Sequence, residues 1–460
     1  MSIIILIPGL LAIYVALSQS PQKAFLSVYI PVVLFLPTYY NWSVPGFPDP
    51  NFQQAAALPI VIIWVLRGMQ GWKFSFTDIL VFGYILVIAY SEYSNIGYSN
   101  SQNFIANVAA GAALFPYILG KSLIEPFGLR EEFAKRIVIV LAVVAILSAY
   151  QSVMLSNYTL WQSGLGRFFG GQGWRWIAQY RWGLPRVAGP YGHAILAGIV
   201  MVIGYRIQRW LEWSNAWRPT HIPQLAWLPI SPARMLTLIL LFGVISTLVR
   251  GPLFAAVIAA FIPFIGHTKK RWLIVGILIV SFVVISIPAT NWFVGYVSVS
   301  PDSVETKSHK TVVYRWELLN SYIEVGKEKF YWGYGNLTFP RIPGQRSIDN
   351  HYLLLFLKHG IFGLGFFLAI MFIMMLRLFI HSMSQPINNL PGSSLGFTLL
   401  SLYVVMLISV ATVWMGGQTL HLFFLIVGWS DAYLRSKSDT IVSTDVPLTA
   451  SPKFSFQRTF

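Results

Sequence analysis

Asp349 and His351 stand two positions apart in "SIDNHYLLLFLKHGIFG", residues 347–363, at the mouth of a run of leucines and phenylalanines. Either side chain can take a proton from a hydroxyl as a new bond forms, a role worth about 10²–10⁴ in rate. Histidine brings a reference pKa of about 6.5, already suited to neutral pH. Asp349 has a second use open to it, because Asp or Asn ahead of a helix commonly caps it by accepting a backbone N–H that has no partner in the helix. The other chemically suggestive set is cationic: Arg167, Arg175, Arg181 and Arg186 fall in one stretch, Arg315, Arg341 and Arg346 in another, and Arg250 stands alone. The planar guanidinium fork matches phosphate and carboxylate, whereas lysine is a hydrated point charge. Arg181, Arg186, Arg250, Arg315 and Arg346, with Asn350, are therefore candidates for holding an anionic substrate. The competing reading, strongest for Arg167, Arg175 and Arg341, is of side chains that snorkel to a membrane surface and do nothing more.

The elements that must position these groups are membrane helices. Of the 460 residues, 56% are hydrophobic and only 10% charged, far from the roughly 25% charged of a soluble domain; mean hydropathy is +0.63. Apolar runs near the roughly 20 residues that cross a bilayer core recur at about 2–18, 24–41, 54–67, 77–93, 103–119, 135–153, 191–208, 233–249, 251–266, 272–290, 360–380, 394–415 and 418–434. The expectation is an all-α polytopic membrane protein with about 12–13 transmembrane helices and a large, partly helical extracytoplasmic loop late in the chain. It divides into N-terminal helices (1–134), central helices with an external arginine loop (135–290), the extracytoplasmic loop (291–350), C-terminal helices (351–436) and a disordered cytoplasmic tail (437–460). The first run has no basic residue before it and reads as a retained helix, not a cleaved signal. Cysteine is absent, which removes disulfides, thiolate metal sites and a Cys nucleophile.

Charge orients the chain. With 291–350 outside, nineteen of the 32 Lys and Arg residues fall inside, including Lys23, Arg67, Lys121, Lys135 and Lys269–Arg271, as the positive-inside rule requires. The eight arginines named above fall outside against that bias, which points to an anionic partner. Arg250 joins two apolar runs of about fifteen residues, roughly 22 Å each, so its hairpin tip is expected to be recessed, where an arginine is costly and usually functional. Pro185, Gly189 and Pro190 keep Arg186 outside a helix that starts near Tyr191, close to a positive helix N-terminus. His193 falls in the first turn of that helix, with contact to substrate and a structural hydrogen bond both open. Arg315 lies in "TVVYRWELLNSYIEVGKEKF", whose Val312, Val313, Trp316, Leu319 and Ile323 recur at helical spacing, an amphipathic surface helix. No acid stands three or four positions from Arg315.

These pieces, with "RVAGPYGH", "STLVRGPLFAA", "YRWELLNSYI" and "YWGYGN", resemble the bacterial O-antigen ligase and O-antigen polymerase superfamily over roughly residues 135–380. The ligase motif of that family is His-Asn, nine residues, then Gly-x-x-Gly. Here Asp349-Asn350, residues 351–359 and Gly360-Ile361-Phe362-Gly363 keep the spacing but put Asp349 where the family has histidine. The resemblance implies a membrane glycosyltransferase at the extracytoplasmic face of a bacterial inner membrane. It would act on a polyprenyl-pyrophosphate-linked glycan donor and a glycan acceptor, by inversion and without metal or cofactor. The departure at Asp349 favours a polymerase of O-antigen or exopolysaccharide repeats over a ligase that transfers glycan to lipid A-core. Membrane lipids and polysaccharide assembly proteins are the further partners expected, and nucleic acid is not. A flippase for lipid-linked oligosaccharide is the rival from another class, and calls for an internal repeat that the sequence does not display. A transferase using Asp49 in the first outer loop is a second rival, although Asp49 between two prolines reads as a turn residue.

Overall fold

The structure, a computed structural model, describes residues 2–43, 48–154, 159–170, 172, 179–217, 231–298, 307–344, 347–387 and 394–436. Arg175, Arg346 and the 437–460 tail lie outside these residues. The chain is built of helices: α1 (Ser2–Ser18), α2 (Pro21–Phe35), α3 (Phe52–Leu66), α4 (Phe76–Phe127), α5 (Arg130–Val153), α6 (Ala194–Trp213), α7 (Pro232–Ser246), α8 (Arg250–His267), α9 (Arg271–Val297), α10 (Lys307–Glu328), α11 (His351–Ser384), α12 (Leu395–Thr412) and α13 (Gln418–Tyr433). Seven of these, α4, α5, α6, α8, α9, α11 and α12, are long and apolar enough to cross a membrane, and α1, α2, α3 and α7 are shorter apolar helices. The protein is an all-α polytopic membrane protein.

Polar residues at the ends of the apolar runs set the helix starts. Ser20 accepts the Lys23 N–H ahead of Pro21, Asn51 and Gln54 cap each other reciprocally, and Ser231 accepts the Arg234 N–H ahead of Pro232. Each supplies an acceptor to a first-turn N–H that the helix leaves unpaired. The runs expected at 77–93 and 103–119 belong to one continuous segment, α4, whose direction breaks at Gly97 (φ 74°, ψ 175°). A glycine reaches that conformation without steric penalty, so the chain turns there without a separate loop.

Packing distinguishes helices that hydropathy alone does not. Every residue of α13 is buried, polar Gln418, His421, Ser430 and Asp431 included, so α13 is the central post of the bundle. Along α9 only Val297 is buried, and its Phe282, Val284 and Ile287 are exposed as on a lipid-facing surface. The connections after α2, α5 and α7 meet at one end, which we call the loop end. There Gln418 donates to the Leu36 and Pro190 carbonyls, and Arg181 to the Leu248 carbonyl. At the other end, the tail end, Arg435 donates to the Lys73 carbonyl and Arg271 to the Gln385 carbonyl.

Two loop-end features differ from the sequence reading. The 154–190 stretch contains a two-stranded antiparallel hairpin, Tyr180–Arg181 with Leu184–Pro185. Its turn residues Trp182 and Gly183 both have positive φ, the geometry that suits strand twist in a two-residue hairpin. The helix expected from Tyr191 begins at Ala194, with His193 as its N-cap accepting the Ile195 N–H at 3.2 Å. Gly189 and Gly192, at positive φ, hold the preceding residues out of the helix.

Candidate functional site

The N-terminus of α11 is the hub of the site. Asn350 is its N-cap, accepting the Leu353 N–H at 3.1 Å. Asp349 is therefore not needed as a cap; among the described residues its Oδ1 accepts only the Ser347 hydroxyl, at 3.0 Å, and it is exposed. The amphipathic segment forms α10, which lies along α11 through Leu318, Tyr322, Leu353 and Leu357. That contact brings Arg315 to Asp349: both line one cavity of 320 Å³, together with Asn350, Tyr314, Trp316 and Ala411. Arg315 makes no ion pair among the described residues.

The other arginines approach from the central helices. The hairpin fixes Arg181, whose Nη1 donates to the Leu248 carbonyl at 2.5 Å. Leu248 has φ 51°, a backbone turn that aims its carbonyl at the guanidinium two residues before Arg250. Arg250 opens α8, a helix of 18 residues, three more than expected, and is exposed. Gly251 packs against Thr412, with 3.0 Å between the place of a Cβ and the threonine oxygen, one residue along the chain from Ala411 of the cavity wall. Arg186 Nη1 donates to Gln179 Oε1 at 2.5 Å, while its Nε is buried with no partner among the described residues.

Electrostatics link these groups to Asp349. Burial, and then the neighbouring Arg181, weaken the hold of Arg186 on its proton. Burial also draws the His193 imidazole below its ordinary pKa, Arg186 adds to that, and Asp349 opposes it. His193 thus sits within electrostatic reach of both Arg186 and Asp349. Sequence reasoning gave it two roles, and the structure shows a cap that also borders the site.

His351 points elsewhere. It is 5% exposed and lines a different cavity, of 340 Å³, on the opposite side of the first turn of α11. The structure therefore lines one cavity with Arg315, Asp349 and Asn350, puts Arg181 within electrostatic reach of Arg186 and both Arg186 and Asp349 within reach of His193, and places His351 on a different cavity. Among the described residues no group of three or more His, Asp or Glu side chains could hold a metal ion. Asp49, the rival acid, is bound to Asn103, whose Oδ1 accepts the Asp49 N–H at 2.8 Å.

Glycines of the Gly-x-x-Gly pair set the shape of α11. Gly360 has φ 64° and ψ −167°, a region essentially closed to other residues, and a Cβ there would lie 2.2 Å from the Tyr331 carbonyl oxygen. The "YWGYGN" turn thereby docks on the kink, held by Ser91, whose hydroxyl lies 2.6 Å from the Trp332 carbonyl and 2.8 Å from the Lys358 carbonyl.

Residues 235–368 match a family model described as O-antigen ligase. No curated protein matches the chain. The matched segment runs from α7 into α11 and contains Arg250, Arg315, Asp349, Asn350 and both glycines of the kink. Over that segment the chain is similar to the O-antigen ligase family, which supports the O-antigen ligase and polymerase superfamily.

Proposed function

We propose that the protein is a glycosyltransferase that polymerises repeat units of O-antigen or exopolysaccharide, taking glycan from polyprenyl pyrophosphate. The carrying observation is the shared cavity of Arg315 and Asp349, an unpaired cation and a carboxylate that is not needed as a cap. In this reading the donor tail lies in the bilayer, and Arg315, Arg250, Arg186 and Arg181 hold the diphosphate. Arg346, outside the described residues, is proposed for the same clamp. An acceptor hydroxyl attacks the anomeric carbon from the face opposite the diphosphate. Its proton passes to Asp349, the new C–O bond forms with inversion, and the old C–O bond breaks with its electrons leaving on polyprenyl pyrophosphate. Arginines aimed at the leaving group stabilise the charge that builds there, the part a divalent cation plays elsewhere, so the mechanism is metal-independent. His351 faces away from this cavity and is not assigned the proton. The site would face the periplasm or exterior from a bacterial inner membrane, with basic inner loops fixing the orientation.

Transfer to lipid A-core is the second reading, favoured by the description of the matched family. The aspartate at the position of the family's histidine favours polymerase. Reconstituted protein supplied with purified lipid-linked repeats distinguishes them: a ladder of lengthened lipid-linked product is expected, and Asp349→Asn should abolish it. A ladder unchanged in Asp349→Asn would refute the assigned base, and product only upon addition of lipid A-core would establish the ligase.

A further inference from the structure

The first turn of α11 has two faces, and the transfer chemistry uses one. Asp349, Asn350 and Leu353 face the arginine cavity. His351, Leu354, Leu355 and Lys358 recur at helical spacing on the other face and line the second cavity. The far wall of that cavity comes from the N-terminal half of the chain, through Asn41, Asn51, Tyr39 and Asn107, a region outside the family match. The end of α12 and the segment after it border both cavities, Ala411 on one and Trp414–Gly417 on the other.

The polar groups of this second cavity are held for a partner. Both ring nitrogens of His351 lack one among the described residues, as do His421 Nε2 and Asn107 Oδ1, although His351 and His421 are 5% and 3% exposed. Nδ1 of His421 lies 3.0 Å from the Gly417 carbonyl and must donate to it, which leaves Nε2 as an acceptor in a neutral ring. Lys358 offers donors, with one bond of 2.6 Å to Asn336 Oδ1. Its charge is opposed by Glu92, which also accepts the Asn336 N–H at 2.6 Å. The cavity thus mixes acceptors and donors with a compensated charge, unlike the other cavity, where Arg315 makes no ion pair among the described residues. Hydroxyls donate and accept at once, and Trp414 and Tyr39 add flat apolar faces. At 340 Å³ it sits at the small end of ligand clefts, about 300–1,000 Å³.

We propose that this cavity is a sugar subsite: it receives one uncharged, hydroxyl-rich ring of the acceptor glycan, hydrogen-bonded by His351, His421 and Asn107 and stacked on Trp414. Identifying the ring as the acceptor's rests on the transferase reading above; the recognition of a sugar does not. Only Asn350 separates His351 from Asp349 in the chain, so an acceptor that anchors one ring in this cavity and continues past the turn presents a hydroxyl of a neighbouring unit to the proton acceptor on the other face. His351 and His421 are then binding residues that fix which hydroxyl is presented.

The test uses full-length protein in nanodiscs and two probes: inorganic pyrophosphate, and the oligosaccharide freed by mild acid from the lipid-linked pool of the producing cells. Trp414→Ala and His421→Phe should each weaken oligosaccharide binding by about tenfold in calorimetry and leave pyrophosphate binding unchanged, which also reports an intact fold. Gly416→Ala should do the same, since a Cβ there would lie 1.4 Å from the Trp414 ring. Arg315→Ala should show the reverse pattern. Oligosaccharide binding that survives all three cavity variants overturns the subsite, as does binding that falls equally with Arg315→Ala. Pyrophosphate binding insensitive to Arg315→Ala counts against the diphosphate clamp while leaving the sugar result readable. With donor and acceptor varied separately, a rise in acceptor KM alone supports the assignment, and a rise in donor KM alone places a donor ring in the cavity and refutes it.

Discussion

The two ends of the bundle both concentrate charge, and they treat it in opposite ways. At the tail end, Asp78, Lys121 and Asp431 are fully buried and answer one another: Lys121 lies 2.5 Å from Asp78 and 3.1 Å from Asp431. Arg377 and Arg435 complete the cluster against Asp431 at 3.1 and 2.6 Å, with Ser75, Thr77 and Tyr117 filling the remaining lone pairs. At the loop end, Arg250 and Arg315 meet no carboxylate within ion-pair distance among the described residues, Arg181 finds a carbonyl and Arg186 an amide. A cation whose counter-charge is built into the fold serves the fold. One whose charge is unanswered among the described residues suits the anion clamp proposed above.

The contrast breaks most visibly at Asp431. Removing one member of a buried ion cluster strands the others, at a cost of about 3–5 kcal/mol, so Asp431→Ala should lose most of its folded protein, read by recovery on size exclusion and by thermal unfolding. Arg315→Ala and Arg250→Ala should accumulate and unfold as the parent does, yet lose about 10²–10³ in transfer rate, the range for removing one donor from a developing charge. Should the arginine variants unfold as Asp431→Ala does, the loop-end cations are structural and the distinction between the ends fails. Gly360→Ala sits between these cases. Backbone held in that region costs a non-glycine residue about 1–3 kcal/mol, and the methyl would press on the Tyr331 carbonyl. It should unfold at a lower temperature than the parent and lose activity too, because the kink sets the direction of the half of α11 that begins beside Asp349.

Much of this division was legible in the sequence, and the failures have physical causes. Apolar run length revealed the bilayer and most helix positions, because a spanning helix must satisfy its backbone internally. Run length does not say what surrounds a helix, so α13, buried throughout, and α9, almost wholly exposed, read alike. The lack of an acid on the same helix face as Arg315 was readable from its i±3 and i±4 neighbours, and the amphipathic α10 from its spacing. Asp349 and His351 looked interchangeable because the cap was unassigned. Once Asn350 takes the Leu353 N–H, helix geometry sends the two side chains to different cavities. Gly97 broke one segment where two were expected, since its positive φ replaces a loop. The second cavity left no local signal, being assembled from Asn41, Asn51, Asn107, His351, Trp414 and His421, residues scattered across the chain. The one available hint was the repeat of polar residues at 351 and 358 on a single helical face.

His193 sharpens the comparison without touching the chemistry. It lies between the two signs of the loop end: Arg186 lowers its pKa, after burial, and Asp349 raises it. Arg186→Gln removes a positive neighbour, so the imidazolium becomes easier to form and the titration should move upward. Asp349→Asn removes the negative neighbour and should move it downward. Both shifts are readable by NMR of the labelled imidazole, assigned through its loss in His193→Gln. Substitution at Asp431, in the tail-end cluster, should leave the His193 curve where it was in whatever folded fraction remains, because its charge is answered locally. If Arg186→Gln and Asp349→Asn move the curve in the same direction, then His193 does not sit between them, and the corner of arginines and carboxylate is not assembled as described. If they move it oppositely, the imidazole reports in solution, independently of any transfer assay, that guanidinium and carboxylate drawn from distant segments of the chain share one site.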